Sequence, residues 1–64
     1  MCIATVYIDN KGELEEAMRD VVYIEAENNR YHLISLMGER KCLAGKLKYI
    51  DFWQEHSVVI EQES

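Results

Sequence analysis

Apolar and polar residues alternate along several short runs of the sequence. In the first run every second position is apolar, and these positions are Cys2, Ala4, Val6 and Ile8. A period of two places such residues on one face of a β-strand. Later runs that are rich in β-branched and aromatic residues predict further strands at 19–27, 31–37, 41–44, 46–53 and 57–62. The pattern therefore favours a chain built from β-strands.

Short polar clusters separate the predicted strands, and their composition is typical of turns. The clusters are DNKG at 9–12, ENNR at 27–30, MGER at 37–40 and QEHS at 54–57. In ENNR, Asn28 and Asn29 tolerate the positive φ angles of a tight hairpin, so the strands on either side are expected to pair. Gly45 stands between two predicted strands and indicates a bend or a bulge.

Residues 13–18 depart from the two-residue period. Leu14, Ala17 and Met18 recur at helical spacing, so a short helical turn and a strand are both open for this segment. Together the elements predict an all-β fold, a single domain over 1–64. We expect it to be a small five- to six-stranded β-barrel, with room for one short helical turn near residues 13–18.

The small size of the chain limits how stable it can be alone. A domain of 64 residues buries roughly 60% of the surface that its unfolded form exposes, so a monomer is marginally stable. Disulfides, a metal ion or a partner subunit commonly support domains of this size. The two cysteines permit one internal disulfide at most. A metal ion or a second subunit is therefore the expected support.

Charge and hydropathy narrow the classes of partner. Twelve acidic side chains outnumber seven basic ones, which disfavours binding to nucleic acid. No stretch approaches the roughly 20 apolar residues of a membrane span, and no secretory signal is evident. We therefore expect a cytoplasmic protein whose thiols are free or bound to metal. A basic cluster and an aromatic residue keep RNA binding as an alternative: Arg40, Lys41, Lys46, Lys48 and Trp53.

Cys2 is the first candidate for chemistry, because a thiol so close to a chain end gains little from burial. If Met1 is removed, the α-amine and the thiolate of Cys2 form a five-membered chelate. If Met1 is retained, a deprotonated backbone amide takes the nitrogen role. Nickel(II) prefers square-planar sites with nitrogen and sulfur donors, whereas zinc needs four ligands that no CxxC or HxxxH spacing supplies. A small buried side chain at the start of a strand is the alternative.

The second cysteine and the two histidines have simpler interpretations. Cys42 is expected in the core, because free cysteine is among the most often buried residue types. His32 and His56 are expected at the surface or in hydrogen bonds. A second version of the metal site would pair one of these histidines with Cys2.

The other side chains that could carry chemistry are expected to be structural. Carboxylates around the first turn are expected to form a solvated face: Asp9, Glu13, Glu15 and Glu16. Phe52 and Trp53 are adjacent, so one is expected in the core and the other exposed or at an interface. No Ser-His-Asp constellation or glycine-rich phosphate loop is present, so we expect no enzyme activity.

Two segments of the sequence resemble the CooT family, whose members are small accessory factors for nickel insertion into carbon monoxide dehydrogenase. The first segment is the opening MCIATVYI, and the second, starting at Met18, is MRDVVYIEAENNRYHLISLMGERKCLAGKLKYIDF. The opening Met-Cys, followed by a hydrophobic residue and alanine, is the most specific feature. The Met-x-Asp-Val-Val of residues 18–22 is the next. The resemblance covers essentially the whole chain.

The resemblance implies a Sm-like, SH3-type barrel that forms a homodimer and holds Ni(II) through paired Cys2 residues at the dimer interface. Two sulfurs and two nitrogens would then complete a square plane. The implied function is that of a nickel-binding, metallochaperone-like accessory protein, with a nickel enzyme such as carbon monoxide dehydrogenase as partner. A Sm-like RNA-binding module is the alternative function.

Overall fold

The computed structural model of the protein describes residues 3–62, which form six β-strands. The strands are β1 (Ala4–Asn10), β2 (Glu13–Glu27), β3 (Arg30–Ser35), β4 (Arg40–Ala44), β5 (Lys46–Asp51) and β6 (Ser57–Glu61). They make one six-stranded sheet in the order β4-β3-β2-β1-β6-β5. β1 and β6 run parallel, and the other neighbouring strands are antiparallel. The predicted all-β fold is confirmed.

The helical turn considered near residues 13–18 is wrong, because these residues begin β2. Lys11 and Gly12 both have positive φ, 54° and 91°, as in the two-residue turns that close β-hairpins. The Gly12 amide donates to a carboxylate oxygen of Asp9 at 2.8 Å. This turn pairs β2 with β1 from its first residue, and the ladder outweighs the weak preference of a single helical turn. Within residues 3–62, no helix is long and apolar enough to cross a membrane.

β2 is the long strand that connects the two halves of the sheet. Its first part pairs with β1 and its second part with β3. Between them Asp20 has a φ of 54°, and the register of both ladders shifts in this region. Such bulges bend a strand and increase its twist. The predicted hairpin after β2 is confirmed, with Asn28 and Asn29 at φ values of 47° and 64°.

The sheet curls at Gly45, where the predicted bend is confirmed. β4 and β5 lie at opposite edges in hydrogen-bonding order, yet Gly45 alone separates them in sequence. The Gly45 amide donates to the carbonyl of Asn29 at 3.0 Å. The Leu47 amide donates to the hydroxyl of Tyr31 at 2.9 Å. These bonds bring the start of β5 against the hairpin between β2 and β3, so the two edges of the sheet meet at this corner.

The curled sheet encloses a core of aliphatic side chains. Residues from both halves of the sheet form it: Ala4, Val6, Val21, Leu33, Leu43, Val58 and Ile60. In the described residues the hydrogen-bonded order ends at β4 on one side and at β5 on the other. The sheet is therefore curled and open, and the predicted closure into a barrel is not confirmed.

An ion pair holds the end of the sheet that carries the first turn. The side chain of Asp9, a residue 3% exposed, accepts hydrogen bonds from Lys48 on β5 and from the Gly12 amide. The bond from Lys48, and then that from Gly12, lower the pKa of Asp9, while the bond to Asp9 raises the pKa of Lys48. Asp9 thus departs from the expected solvated face. The other members of that acidic cluster are exposed: Glu13, Glu15 and Glu16.

Replacing Gly45 with alanine should destabilise the fold. Its φ is +149°, and an added Cβ would clash with the carbonyl oxygen of Glu61 and lie 3.0 Å from Cγ2 of Ile60. We expect the free energy of unfolding to fall by about 3 kcal/mol, from backbone strain together with overpacking. Gly38→Ala is the matched control: φ is +87° in open space, so strain alone should cost about 1 kcal/mol. Urea unfolding measures both, and equal losses would contradict a crowded corner at Gly45.

Lowering the pH should weaken the fold through Asp9. Because the folded-state pKa of Asp9 lies below its ordinary value, the group stabilises the folded state above about pH 4, and this contribution is lost as the pH falls through the folded pKa. Lys48 behaves in the opposite sense, since its pKa is raised. Its contribution is present below about pH 10 and is lost as the pH rises through the folded pKa.

Asp9→Asn should therefore flatten the acid side of a plot of unfolding free energy against pH, measured by urea unfolding between about pH 3 and 6. Glu13→Gln, at an exposed carboxyl of the same turn, is the control and should leave the acid side steep. If Asp9→Asn keeps the slope of the unaltered protein, the ion pair does not carry the acid sensitivity.

Candidate metal centre

Cys2, the predicted metal ligand, lies outside the described residues, so its setting is defined by the residues that follow it. β1 begins at Ala4, which is buried in the core and pairs with Val21 of β2. The next amide, that of Thr5, donates to the carbonyl of His56 at 3.0 Å. The start of β1 is therefore anchored to β2 through Ala4 and to His56 through Thr5.

A loop at 52–56, called here the aromatic loop, lies beside this anchor. It connects the end of β5 to the start of β6. Asp51 at the end of β5 pairs with Ser57 of β6, and Ser57 in turn is aligned with Thr5 of β1. The end of β5 thus lies two strands from the start of β1, a distance of about 10 Å. The aromatic loop spans that distance, and its last residue contacts the start of β1.

The carboxylate of Asp51 shapes the aromatic loop. It accepts hydrogen bonds from the amide of Trp53 at 2.8 Å and from the amide of Gln54 at 3.0 Å. The bonds from Gln54 and Trp53 lower the pKa of Asp51, because both donors stabilise the charged form. An acidic side chain that caps the following amides in this way is a common turn device. The loop is therefore held in one shape by its own sequence.

Both aromatic side chains of the loop are accessible. Phe52 is 49% exposed and Trp53 is 89% exposed, so the expectation that one of them enters the core is wrong. The expectation assumed that the strand continues through both residues, whereas β5 ends at Asp51. The ring of Phe52 lies 6.1 Å from that of His56 between centroids, tilted by 57°. Trp53 thus presents nearly its whole indole to solvent, on the loop whose last residue contacts the start of β1.

The two histidines lie in different parts of the sheet. His56 belongs to the aromatic loop, has a φ of 52° and is in the stretch that contacts the start of β1. His32 lies within β3, opposite Cys42 of β4, and its Nε2 is 3.5 Å from a carboxylate oxygen of Glu27. Of the two, His56 is the histidine placed near the segment that bears Cys2.

Cys42 is exposed, so its predicted place in the core is wrong. In β4 the neighbouring Leu43 is the buried residue, and alternation along a strand turns Cys42 to the other face. The sequence carried this signal, since one of two adjacent apolar residues in a short strand must face outward. Within residues 3–62, no three histidine, cysteine, aspartate or glutamate residues form a group that could hold a metal ion.

Comparison with known proteins gives a family and a fold. The family model described as the CO dehydrogenase accessory protein CooT matches residues 1–61. The crystal structure of a protein provisionally assigned as CooT, from Carboxydothermus hydrogenoformans, is similar with a TM-score of 0.87. The two sequences are 24% identical over 98% of this chain and 100% of that one, a likeness that shows the shared fold. No curated protein matches the sequence.

Proposed function

The chain belongs to the CooT family of CO dehydrogenase accessory proteins, and we propose that it is a nickel-binding, metallochaperone-like member. As an accessory protein it is not itself an enzyme. In this proposal Ni(II) is the cargo, a homodimer holds it through the Cys2 residues of two chains, and a carbon monoxide dehydrogenase receives it. The observation that carries the proposal is Cys2 at the chain start, inside the segment that the family model matches.

The donor set of two chains suits nickel. Each Cys2 offers a thiolate and, one bond away, a nitrogen from the free α-amine or from the backbone amide. An α-amine has an ordinary pKa of about 8, so a metal ion can displace its proton near neutral pH. Two such chelates supply two sulfurs and two nitrogens, the square-planar set that Ni(II) prefers.

The described residues support a shared site by the way they anchor the chain start. Ala4 is buried in the core and Thr5 is bonded to the aromatic loop, so Cys2 is attached to a rigid part of the sheet. A chelate formed by the chain end alone would pay a large ordering cost, and this anchor reduces it.

An apolar surface next to the chain start supports a dimer there. Large exposed side chains follow one another along β5 and into the aromatic loop; we call them the β5 rim, and they are Leu47, Tyr49, Ile50, Phe52 and Trp53. Large apolar side chains that stay exposed in one region commonly mark a contact with another protein. A dimer joined near the start of β1 would place the two aromatic loops close to each other, because each loop contacts that strand through Thr5 and His56. The proposed occupant of the β5 rim is therefore a second copy of this chain.

RNA binding is not proposed as a second function. Lys48, one of the basic residues on which the RNA-binding alternative rests, donates a hydrogen bond to the buried carboxylate of Asp9. Lys41 donates to the carbonyl of Ala17 at 3.1 Å. Trp53 stands on the aromatic loop, which also carries the acidic residue Glu55. The carboxylate of Glu55 repels phosphate. No feature of the described residues favours an RNA surface over the protein contact.

The most tightly bound nickel should amount to about one ion per two chains and should stabilise the dimer. Native mass spectrometry reports the stoichiometry, and a charge-transfer band from thiolate to nickel reports the ligand. Mass action predicts a gain of about 2.7 kcal/mol when free nickel is 100 times its dissociation constant. The melting temperature should rise at about pH 7.5 and hardly move at about pH 5.5, because the ligands must lose protons.

Two cysteine variants separate this site from any other thiol. Cys2→Ser should abolish the ion shared by two chains and the gain in dimer stability that it brings, whereas Cys42→Ala should keep both. One nickel per chain in a stable monomer would refute the shared site. So would a thermal shift of normal size in Cys2→Ser.

Trp53→Ala should weaken the dimer without weakening the folded monomer. An exposed aromatic side chain at the centre of an interface commonly contributes about 2 kcal/mol, so the dissociation constant of the dimer should rise roughly 30-fold. Met37→Ala is the control, because Met37 is 84% exposed but lies on the turn between β3 and β4. Sedimentation equilibrium measures both variants, and an equal effect of the two would place the interface elsewhere.

A further inference from the structure

We propose that His32 and Cys42 form a second metal-binding site, separate from Cys2, which takes one divalent transition-metal ion such as Ni(II), Zn(II) or Co(II). The site lies on the outer face of the half-sheet made by β4, β3 and the second part of β2. It does not depend on the dimer or on the proposed function of Cys2.

Register places the two ligands side by side. His32 of β3 is directly opposite Cys42 of β4, and Glu25 of β2 is directly opposite His32. The three form one row across three neighbouring strands. Directly opposite residues have Cβ atoms about 5 Å apart. A nitrogen and a sulfur bound at about 2.1 and 2.3 Å from one ion are separated by less than this, so rotamer changes alone can bring both donors to it.

The row opens into a concave surface that is accessible from solvent. The surface encloses about 530 Å³ and is lined by Tyr23, Glu25, His32, Leu33, Ile34, Arg40, Lys41 and Cys42. Cys42 is an exposed free thiol, and the side chain of His32 is 42% exposed. The volume greatly exceeds that of one ion, so water or a ligand from another molecule can complete the coordination sphere.

The groups around the pair favour a bound cation. Glu27 lies 3.5 Å from Nε2 of His32, which leaves Nδ1 as the donor to the metal. A carboxylate on the far nitrogen orients such a ring and makes it a better ligand. Glu25 lines the same surface and adds negative charge beside the ion.

The pair supplies two ligands, and this sets the character of the site. The described residues contain no group of three that could hold a metal ion, so Glu25 acts through its charge. An imidazole nitrogen with a thiolate suits borderline ions such as Ni(II) and Zn(II). With two protein ligands the site binds its ion more weakly than the shared Cys2 site and exchanges it readily.

The test uses the full-length Cys2→Ser variant, in which the shared site is lost. Titration with Co(II) should give a thiolate-to-cobalt charge-transfer band at about one ion per chain. Adding Cys42→Ser should abolish the band. Adding His32→Gln should weaken binding at least about tenfold, the scale expected when a metal site loses a ligand or its support. His56→Gln is the matched control and should leave the affinity unchanged.

Paramagnetic broadening gives a second measurement that does not need the thiol band. Added Ni(II) should broaden the imidazole signals of His32 in Cys2→Ser and leave those of His56 sharp. Absence of the cobalt band in Cys2→Ser, or equal affinities in the His32→Gln and His56→Gln variants, would overturn the proposal. Thermal unfolding of each variant confirms that it is folded. Nickel stoichiometry of Cys42→Ser, with Cys2 intact, tests the shared site separately, so failure of one site leaves the other to be judged on its own.

Discussion

The close approach of Gly45 to the carbonyl of Glu61 is the contact on which the rest of the structure depends. It lets one stretch of chain serve as β4 at one edge of the sheet and as β5 at the other. The bulges in β2 bend the sheet, and the corner at Gly45 brings its two edges together, so that the layer has an interior. With it, Leu33 and Leu43 from one half meet Val58 and Ile60 from the other. A residue with a Cβ does not fit at the corner, so the fold requires glycine there.

The same corner explains why the two edges of the sheet differ. β4 presents Arg40 and Lys41, and charged side chains of this kind protect an edge from pairing with other chains. β5 also carries two exposed lysines, Lys46 and Lys48, but it presents Leu47 and Ile50 to solvent as well. A small curled sheet that remains open cannot cover every apolar residue it carries. This edge is continuous with the aromatic loop, so its exposed apolar residues lead toward the loop that contacts the start of β1.

Most of the fold could be predicted from the sequence, because each element reads as a local pattern. Alternation in residues 2–8 predicts a strand, which the structure confirms from Ala4 onward. The asparagine pair at 28–29 predicts a hairpin, which is confirmed as well. The helical spacing at 13–18 suggested a helical turn that the structure does not contain. These residues pair with β1 because of the turn at Lys11 and Gly12 that precedes them, and their own spacing carries no information about that turn. Closure of the sheet depends on how far it curls, a sum of small twists that no single motif encodes.

The candidate site was less predictable than the fold, because it too depends on which residues the pairing of strands brings together. Chemistry and resemblance identify Cys2, but both treat residues one at a time. The burial of Asp9 depends on Lys48, which lies four strands later in chain order and two strands away in the sheet. The pairing of His32 with Cys42 depends on the register of β3 against β4. Once Leu43 is assigned to the core, the two-residue alternation of a strand predicts that Cys42 faces outward. That His32 lies opposite Cys42 cannot be predicted in this way, because it depends on the register between the two strands.

Metal and dimer are coupled in the proposed function, and the coupling indicates how the ion would leave. If one ion bridges two chains, it tightens the dimer by the same factor by which the dimer tightens the ion. Any event that separates the chains then removes half of the ligands at once. A receiving enzyme that competes for the β5 rim would do this without touching the metal. Protonation of the amine and thiol would do it as well, since both donors must be deprotonated to bind. Release therefore requires no movement within the anchored sheet, only loss of the contact between two copies of a rigid frame.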